Sequence, residues 1–163
     1  KQVATVFTGP PAKGDADGQL VHRFVSRMGK LVVCGGTTAK IVAKHLGQPL
    51  EVDLSTITPD VPPIARVQGV DLVTEGILTL TQVRDMLREG ADLKTVQYRN
   101  DGAASLMRFL LEVDHIHFIV GQAMNPAHQN PDLPHQLGIR MTVVREIAAE
   151  LRSRSREVTF EVV

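Results

Sequence analysis

The sequence is poor in cysteine, in aromatic residues and in net charge. Its one cysteine, Cys34, cannot form an internal disulfide, which is typical of a reducing compartment, so we expect a cytoplasmic protein. The 18 basic and 18 acidic residues cancel, which argues against a nucleic-acid partner. The only basic cluster, RSRSR at 152–156, ends a predicted helix, where cations complement the helix dipole.

Long apolar runs are also missing. No stretch approaches the roughly twenty apolar residues that span a bilayer, and no signal peptide is visible, so no membrane partner is expected. Apolar residues nevertheless make up 43% of the 163 residues, enough for the core of one domain over 1–163. The chain starts at Lys1 rather than Met, and we expect it to be a piece of a longer protein.

Strand patterns alternate with helix patterns along nearly the whole chain. Runs of β-branched and apolar residues alternate with segments whose apolar residues have helical spacing. Parallel strands need a helix or another crossover segment between them, and this alternation supplies it. We therefore predict an α/β fold: an open, mostly parallel, Rossmann-like sheet of about five or six strands with helices on both faces, in three layers. The predicted strands are 3–8, 31–34, 49–54, 70–74, 115–120 and 158–163, the last at a sheet edge. The segments 55–69 and 122–138 are predicted to be loops.

The ends of these strands carry the candidate site. In a parallel sheet all carboxyl ends meet at one edge, where ligands bind. Glycine follows four of the strands and permits close backbone approach to a ligand or to another loop. The residues proposed here for ligand contacts besides the main turn are Gly9, Asp53, Glu75, Gly121, Asn125, His128 and Asn130.

The main turn is Gly35-Gly36-Thr37-Thr38, between a predicted strand and a predicted helix. Free N–H groups at a helix start favour an anion, and two hydroxyls add donors, so this turn could bind a phosphate or a carboxylate. It could equally be a tight turn with Thr37 as a helix cap. It has neither the dinucleotide-binding spacing nor the P-loop spacing.

Three neighbouring residues allow two interpretations each. Asp53 could accept hydrogen bonds from a ribose or could cap the turn at 55–56. Glu75 could be a general base or the first-turn acid of the next helix. Cys34 could be a nucleophile activated by the helix start or a small apolar residue in a buried strand.

The segment 121–138 is long for a loop of a compact domain, and such loops are often functional. Asn125, His128 and Asn130 could form a lid or a polar pocket wall, or they could bond their own backbone in a stiff surface loop. No metal site is expected, because the spacing of the histidines and acids matches no standard zinc site. No Ser-His-Asp order, paired carboxylates or HExxH motif indicates catalysis.

Three long stretches resemble one known family. VCGGTTAKIVAKHLG, VDLSTITPDVPPIARVQGVDLVTEGILTL and DHIHFIVGQAMNPAHQNPDLPHQLGIR are similar to the segment after the catalytic domain of bacterial stage II sporulation protein E-type phosphatases, which are metal-dependent serine/threonine phosphatases. The resemblance implies a parent hydrolase whose Mn²⁺ or Mg²⁺ belongs to the phosphatase domain, an antiparallel β-sandwich that this chain lacks. No catalytic residue, metal residue or cofactor is therefore carried over to this chain.

Three functional hypotheses follow. The favoured one is a non-catalytic accessory domain, attached to a phosphatase, that binds a small phosphate-containing ligand. The second is an enzyme on a small phosphorylated metabolite, with Glu75 or Cys34 as the reactive group. The third is an interaction module in which the terminal strand VTFEVV pairs with another domain or with a second copy in a homodimer.

Overall fold

The computed structural model describes residues 1–123 and 134–163, which form one seven-stranded sheet with helices on both faces. β-Branched and apolar runs form the central strands, as their buried positions require. The strands are β1 (Val3–Thr8), β2 (Lys30–Cys34), β3 (Glu51–Asp53), β4 (Ile64–Arg66), β5 (Leu72–Thr74), β6 (His115–Val120) and β7 (Glu157–Val162).

The order across the sheet is β3-β4-β5-β2-β1-β6-β7. β5, β2, β1, β6 and β7 pair in parallel, whereas β4 is antiparallel to both of its neighbours. Taken in chain order, the parallel strands follow the sequence third, second, first, fourth, fifth, which is the Rossmann arrangement. The predicted α/β, mostly parallel, Rossmann-like fold is confirmed, and the switch in strand order lies between β1 and β6.

Two apolar clusters cover the two faces of the sheet, which gives the three predicted layers. Alternation along the strands sends Val6 and Val32 to one face, and Phe7 and Val33 to the other. The first face packs against α3, α5 and α6, and the second against α1 and α2. The helices are α1 (Asp17–Val25), α2 (Gly36–Leu46), α3 (Ile77–Arg88), α4 (Leu93–Val96), α5 (Gly102–Leu111) and α6 (Pro134–Ser153). None of the helices in the described residues is long and apolar enough to cross a membrane.

The structure corrects the predicted elements in three places. The sheet has seven strands rather than five or six, because β4 lies inside the segment predicted as the loop 55–69. The prolines Pro62 and Pro63 before β4 hid a strand that is only three residues long. The short helix α4 was also missed, and α6 begins at Pro134, within the segment predicted as the loop 122–138.

The centre of the sheet contains a very close approach between two backbones. β1 is followed by Gly9 and β6 by Gly121, and the Gly121 N–H donates to the Thr8 carbonyl at 2.9 Å. A Cβ on Gly121 would lie 2.0 Å from the Gly9 carbonyl oxygen and 2.2 Å from that of Pro10. Only glycine fits at Gly121, because the carbonyl oxygens directly after β1 belong to the backbone and cannot move aside as a flexible side chain could.

We therefore expect Gly121→Ala to lower the free energy of unfolding by at least ~2 kcal/mol, through overpacking against backbone. The matched control is Gly14→Ala, because a Cβ on Gly14 meets nothing within 4 Å. That change should stay within about 0.5 kcal/mol. Urea denaturation at unchanged m-value measures both, and equal midpoints for the two variants would contradict the close approach.

Candidate functional site

The predicted glycine turn is the start of α2, at the carboxyl end of β2. Gly35 adopts a φ of 123°, a conformation that favours glycine, and its N–H donates to the Thr74 carbonyl of β5 at 2.9 Å. The first helical hydrogen bond runs from the Ala39 N–H to the Gly35 carbonyl at 2.9 Å. The helix therefore begins with Gly35 as its N-cap, which has no side chain to cap the first turn.

The start of α2 is exposed to solvent in the part of the chain that the structure describes. The N–H groups of Gly36, Thr37 and Thr38 have no hydrogen-bond acceptor within residues 1–123 and 134–163. Gly36 and Thr37 are exposed, and a Cβ on Gly36 would meet nothing within 4 Å. Unpaired N–H donors and the positive end of a helix dipole are the features that favour an anion at a helix start in general.

The two threonines of the turn have different roles. Thr38 is buried, and its hydroxyl oxygen accepts a hydrogen bond of 2.9 Å from the buried Gly9 N–H. Thr37 is exposed to solvent beside the free N–H groups. Thr38 therefore fixes the loop after β1 to the start of α2, and Thr37 is the hydroxyl that an incoming ligand can reach.

The glycines that follow four strands lie side by side at one edge, as predicted, and they contact one another. A Cβ on Gly76, after β5, would lie 3.4 Å from the Gly35 Cα. On the other side of Gly35, Thr38 bonds Gly9, and Gly9 contacts Gly121. The turns after β5, β2, β1 and β6 thus form one continuous, tightly packed row.

Arg140 of α6 is a member of this site that the sequence did not reveal. Its Nη1 donates to the Gly121 carbonyl at 3.2 Å, and a Cβ on Gly9 would lie 2.4 Å from the same nitrogen. Burial lowers the pKa of Arg140, but a guanidinium stays charged at neutral pH. In the sequence, Arg140 occupies an ordinary polar position of a helix, so no local signal identifies it.

Glu75 acts as the cap of α3. Its Oε2 accepts hydrogen bonds from the Thr79 N–H at 3.1 Å and from the Thr79 hydroxyl at 3.5 Å. The carboxylate thus compensates the N-terminus of α3, which is the helix-acid interpretation. Its charge is directed at α3 rather than at the start of α2.

Asp53 lies away from the glycine turn. β4 and β5 separate β3 from β2, so three strand spacings place Asp53 roughly 14 Å to the side. Its carboxylate accepts hydrogen bonds from the Ser55 hydroxyl at 2.6 Å, from Arg66 at 3.0 Å and from the Ser55 N–H at 3.0 Å. The hydrogen bonds from Ser55 and Arg66 hold the pKa of Asp53 below its usual value. This is the turn-capping interpretation.

Cys34 is fully buried in the core below the turn. Burial raises the pKa of its thiol to about 12; a hydrogen bond with Thr74 opposes this increase, and the charge of Glu75 adds a smaller increase. A group with that pKa is a thiol at neutral pH, so the geometry matches the small apolar residue and not the nucleophile.

The remaining predicted contacts, Asn125, His128 and Asn130, lie outside the described residues. The chain enters that segment at a fixed place, because the Ala123 N–H donates to the Pro10 carbonyl at 2.9 Å and the Gln122 N–H to the Val163 carbonyl at 2.8 Å. Within the part of the chain that the structure describes, no three His, Cys, Asp or Glu side chains lie together as a metal would require.

Two clefts lie at the opposite edge of the sheet, where the parallel strands begin. One has a volume of about 480 Å³ and is lined by residues such as Lys30, Phe109 and Glu112. The other has a volume of about 330 Å³, between Gln48 and Arg66. Neither of these two clefts contains a predicted site residue.

We expect Thr38→Val to lower the free energy of unfolding by about 1–3 kcal/mol, because the buried Gly9 N–H loses its acceptor. Thr37→Val is the matched control at the next residue and should change stability by less than about 0.5 kcal/mol. Urea titrations of both variants measure the difference. If the exposed position proves as costly as the buried one, the assigned roles of the two threonines are wrong.

We also expect Cys34 to resist thiol reagents in the folded protein. With a pKa of about 12, roughly one thiol in ten thousand is ionised at pH 8, and burial blocks access to it. A colorimetric disulfide reagent should detect no thiol in native buffer over an hour and one thiol per chain in denaturant. Full reaction within minutes without denaturant would contradict the buried placement.

Comparison of the chain with known protein families, with curated proteins and with solved structures finds no match in any of the three. The resemblance to sporulation-type phosphatases therefore stays a prediction from the sequence.

Proposed function

We propose that this chain is a non-catalytic domain that binds a small phosphate-containing anion at the first turn of α2. The observation that carries the proposal is the uncapped, exposed start of α2 on a sheet with Rossmann strand order. Gly36 leaves room for direct approach of a ligand oxygen to the backbone. Thr37 supplies a hydroxyl donor beside it.

The charges around the turn support an anion. The dipole of α2 contributes about half a positive charge, and Arg140 adds a cation on the far side of Gly9. The nearest acid of the turn, Glu75, is engaged by the α3 N-terminus. An anion at such a helix start gains about 0.3–1 kcal/mol from the dipole at an exposed site, and up to ~2 kcal/mol where partly buried.

In the cell we place this domain in the bacterial cytoplasm, attached to a sporulation-type serine/threonine phosphatase as its regulatory partner. This part of the proposal rests on the sequence resemblance alone. Ligand binding would change the activity of the attached catalytic domain only if the ligand favours one of two arrangements, and the coupling would then be reciprocal. Mn²⁺ or Mg²⁺ would belong to the catalytic domain and not to this chain.

The test is a thermal-shift and calorimetric titration of the 163-residue chain with inorganic phosphate, nucleoside phosphates and sugar phosphates. At a ligand concentration of 100 Kd, binding adds about 2.7 kcal/mol of stability, which raises Tm by roughly 5–10 °C. Sodium chloride at matched ionic strength controls for screening. If no phosphate compound raises Tm above the chloride control, the proposed function is wrong.

The variant Thr37→Asp separates anion binding from stability. An acid in the first turn of α2 should hold or raise stability through the helix dipole while repelling a bound anion, so we expect unchanged or higher Tm and at least ~10-fold weaker phosphate binding. Leu78→Asp is the matched control, because Leu78 is 58% exposed in the first turn of α3, which Glu75 already caps. It should bind phosphate like the unmodified chain. Unaltered affinity in Thr37→Asp would place the anion elsewhere.

A further inference from the structure

β7 is an edge strand whose outer side carries unpaired backbone groups. The Glu157 N–H donates to Asp114 at 3.0 Å and the Val163 N–H to Val120 at 2.9 Å, so the odd-numbered residues face β6. Because backbone direction alternates along a strand, Val158, Phe160 and Val162 direct their N–H and C=O groups away from the sheet.

Only one of these outward groups has a partner within the described residues. Arg152 donates to the Val158 carbonyl at 2.9 Å, and its guanidinium lies 5.7 Å from the centre of the Phe160 ring. The outward groups of Phe160 and Val162 have no acceptor or donor there. Val162 is also 45% exposed, so apolar surface accompanies the free backbone.

We propose that β7 pairs antiparallel with β7 of a second copy of this chain, with the two-fold axis at Phe160. Phe160 then lies opposite Phe160 of the second copy, and Val158 lies opposite Val162. All of these residues present their backbone outward, so this register forms roughly six hydrogen bonds across the interface, and the two to the Val158 carbonyls share their acceptor with Arg152. An axis at Thr159 or Glu161 would pair Phe160 only with Val158 or only with Val162, so it would form about four hydrogen bonds. An axis at Glu161 would also place the two Glu161 carboxylates opposite each other.

The side chains fit this register on both faces. One face brings together Val158, Phe160 and Val162, an apolar strip continuous with the core that β7 already covers. The other face puts Glu161 opposite Thr159, so no like charges lie directly opposite each other. Glu161 is neutralised within its own chain by an ion pair with Arg23, and the Nε2 of His117 lies 3.5 Å from its carboxylate.

The strand lacks two of the usual features that prevent edge pairing. β7 has six residues and contains no proline and no lysine. The opposite edge, β3, has only three residues, and its Asp53 is tied to Arg66. A second copy therefore has a full-length partner strand at β7 and not at β3.

Sedimentation of the 163-residue chain from about 5 to about 500 µM should show a monomer–dimer equilibrium. Val162→Lys adds a charge to the edge and should weaken dimerisation by at least ~10-fold, with circular dichroism verifying the fold. Val52→Lys makes the same change at the β3 edge, where Val52 is 58% exposed, and should leave the equilibrium unchanged. A strict monomer, or a dimer indifferent to Val162→Lys, overturns the proposal.

A spin label tests the register independently of that variant. Ser155 is exposed in the turn before β7, and Cys34 is buried, so Ser155→Cys provides a single reactive site. Residue 155 lies five residues from the axis at Phe160, so about ten residue spacings separate the two labels of an antiparallel dimer. This places them roughly 35 Å apart. A distance distribution centred elsewhere shows a different interface and overturns the proposal.

Discussion

The arrangement of this chain depends on one contact, the passage of the backbone after β1 against the backbone after β6. A side chain on Gly121 would overlap the carbonyls of Gly9 and Pro10, so the two central strands can turn away only through glycine. Helices from opposite faces are fixed to the same place: Thr38 of α2 accepts the Gly9 N–H, and Arg140 of α6 donates to the Gly121 carbonyl. The start of α2 is therefore positioned by contacts on the strand-order switch and not by its own capping.

The sequence predicted the fold correctly at elements whose hydrophobic pattern matches their burial in the structure. The apolar run at 115–120 and the glycines that end helices gave central elements close to those observed, because buried parallel strands and terminated helices have strong local signatures. β4 was not readable, since a three-residue strand after two prolines has no period to detect. α4 depends on a capping box between Asp92 and Thr95 that spans a single turn. The order of the strands in the sheet depends on tertiary contacts, so the local sequence pattern does not predict it.

The candidate site also contains features that the sequence could predict and features that it could not. The start of α2 was readable, because a glycine pair followed by an amphipathic helix is a local signal. The difference between Thr37 and Thr38 was not, since the partner of Thr38 is Gly9, 29 residues earlier. The spacing of about twenty residues made Asp53 a plausible ribose contact, but the β3–β4 hairpin inserted beside β5 moves it aside.

We propose a small anion rather than a polyanion as the ligand because few positive charges lie at the start of α2. One helix start and the Arg140 guanidinium can compensate about one phosphate. The anion surface and the β7 edge are also separate, because β1 and β6 lie between β2 and β7. Pairing through β7 would therefore leave the start of α2 uncovered in both copies. Because the pairing is antiparallel, the two α2 starts would lie at opposite edges of the joined sheet. Two paired copies could each bind an anion at α2 without a change at the β7 interface. A variant that loses dimerisation therefore need not lose anion binding, and the reverse also holds.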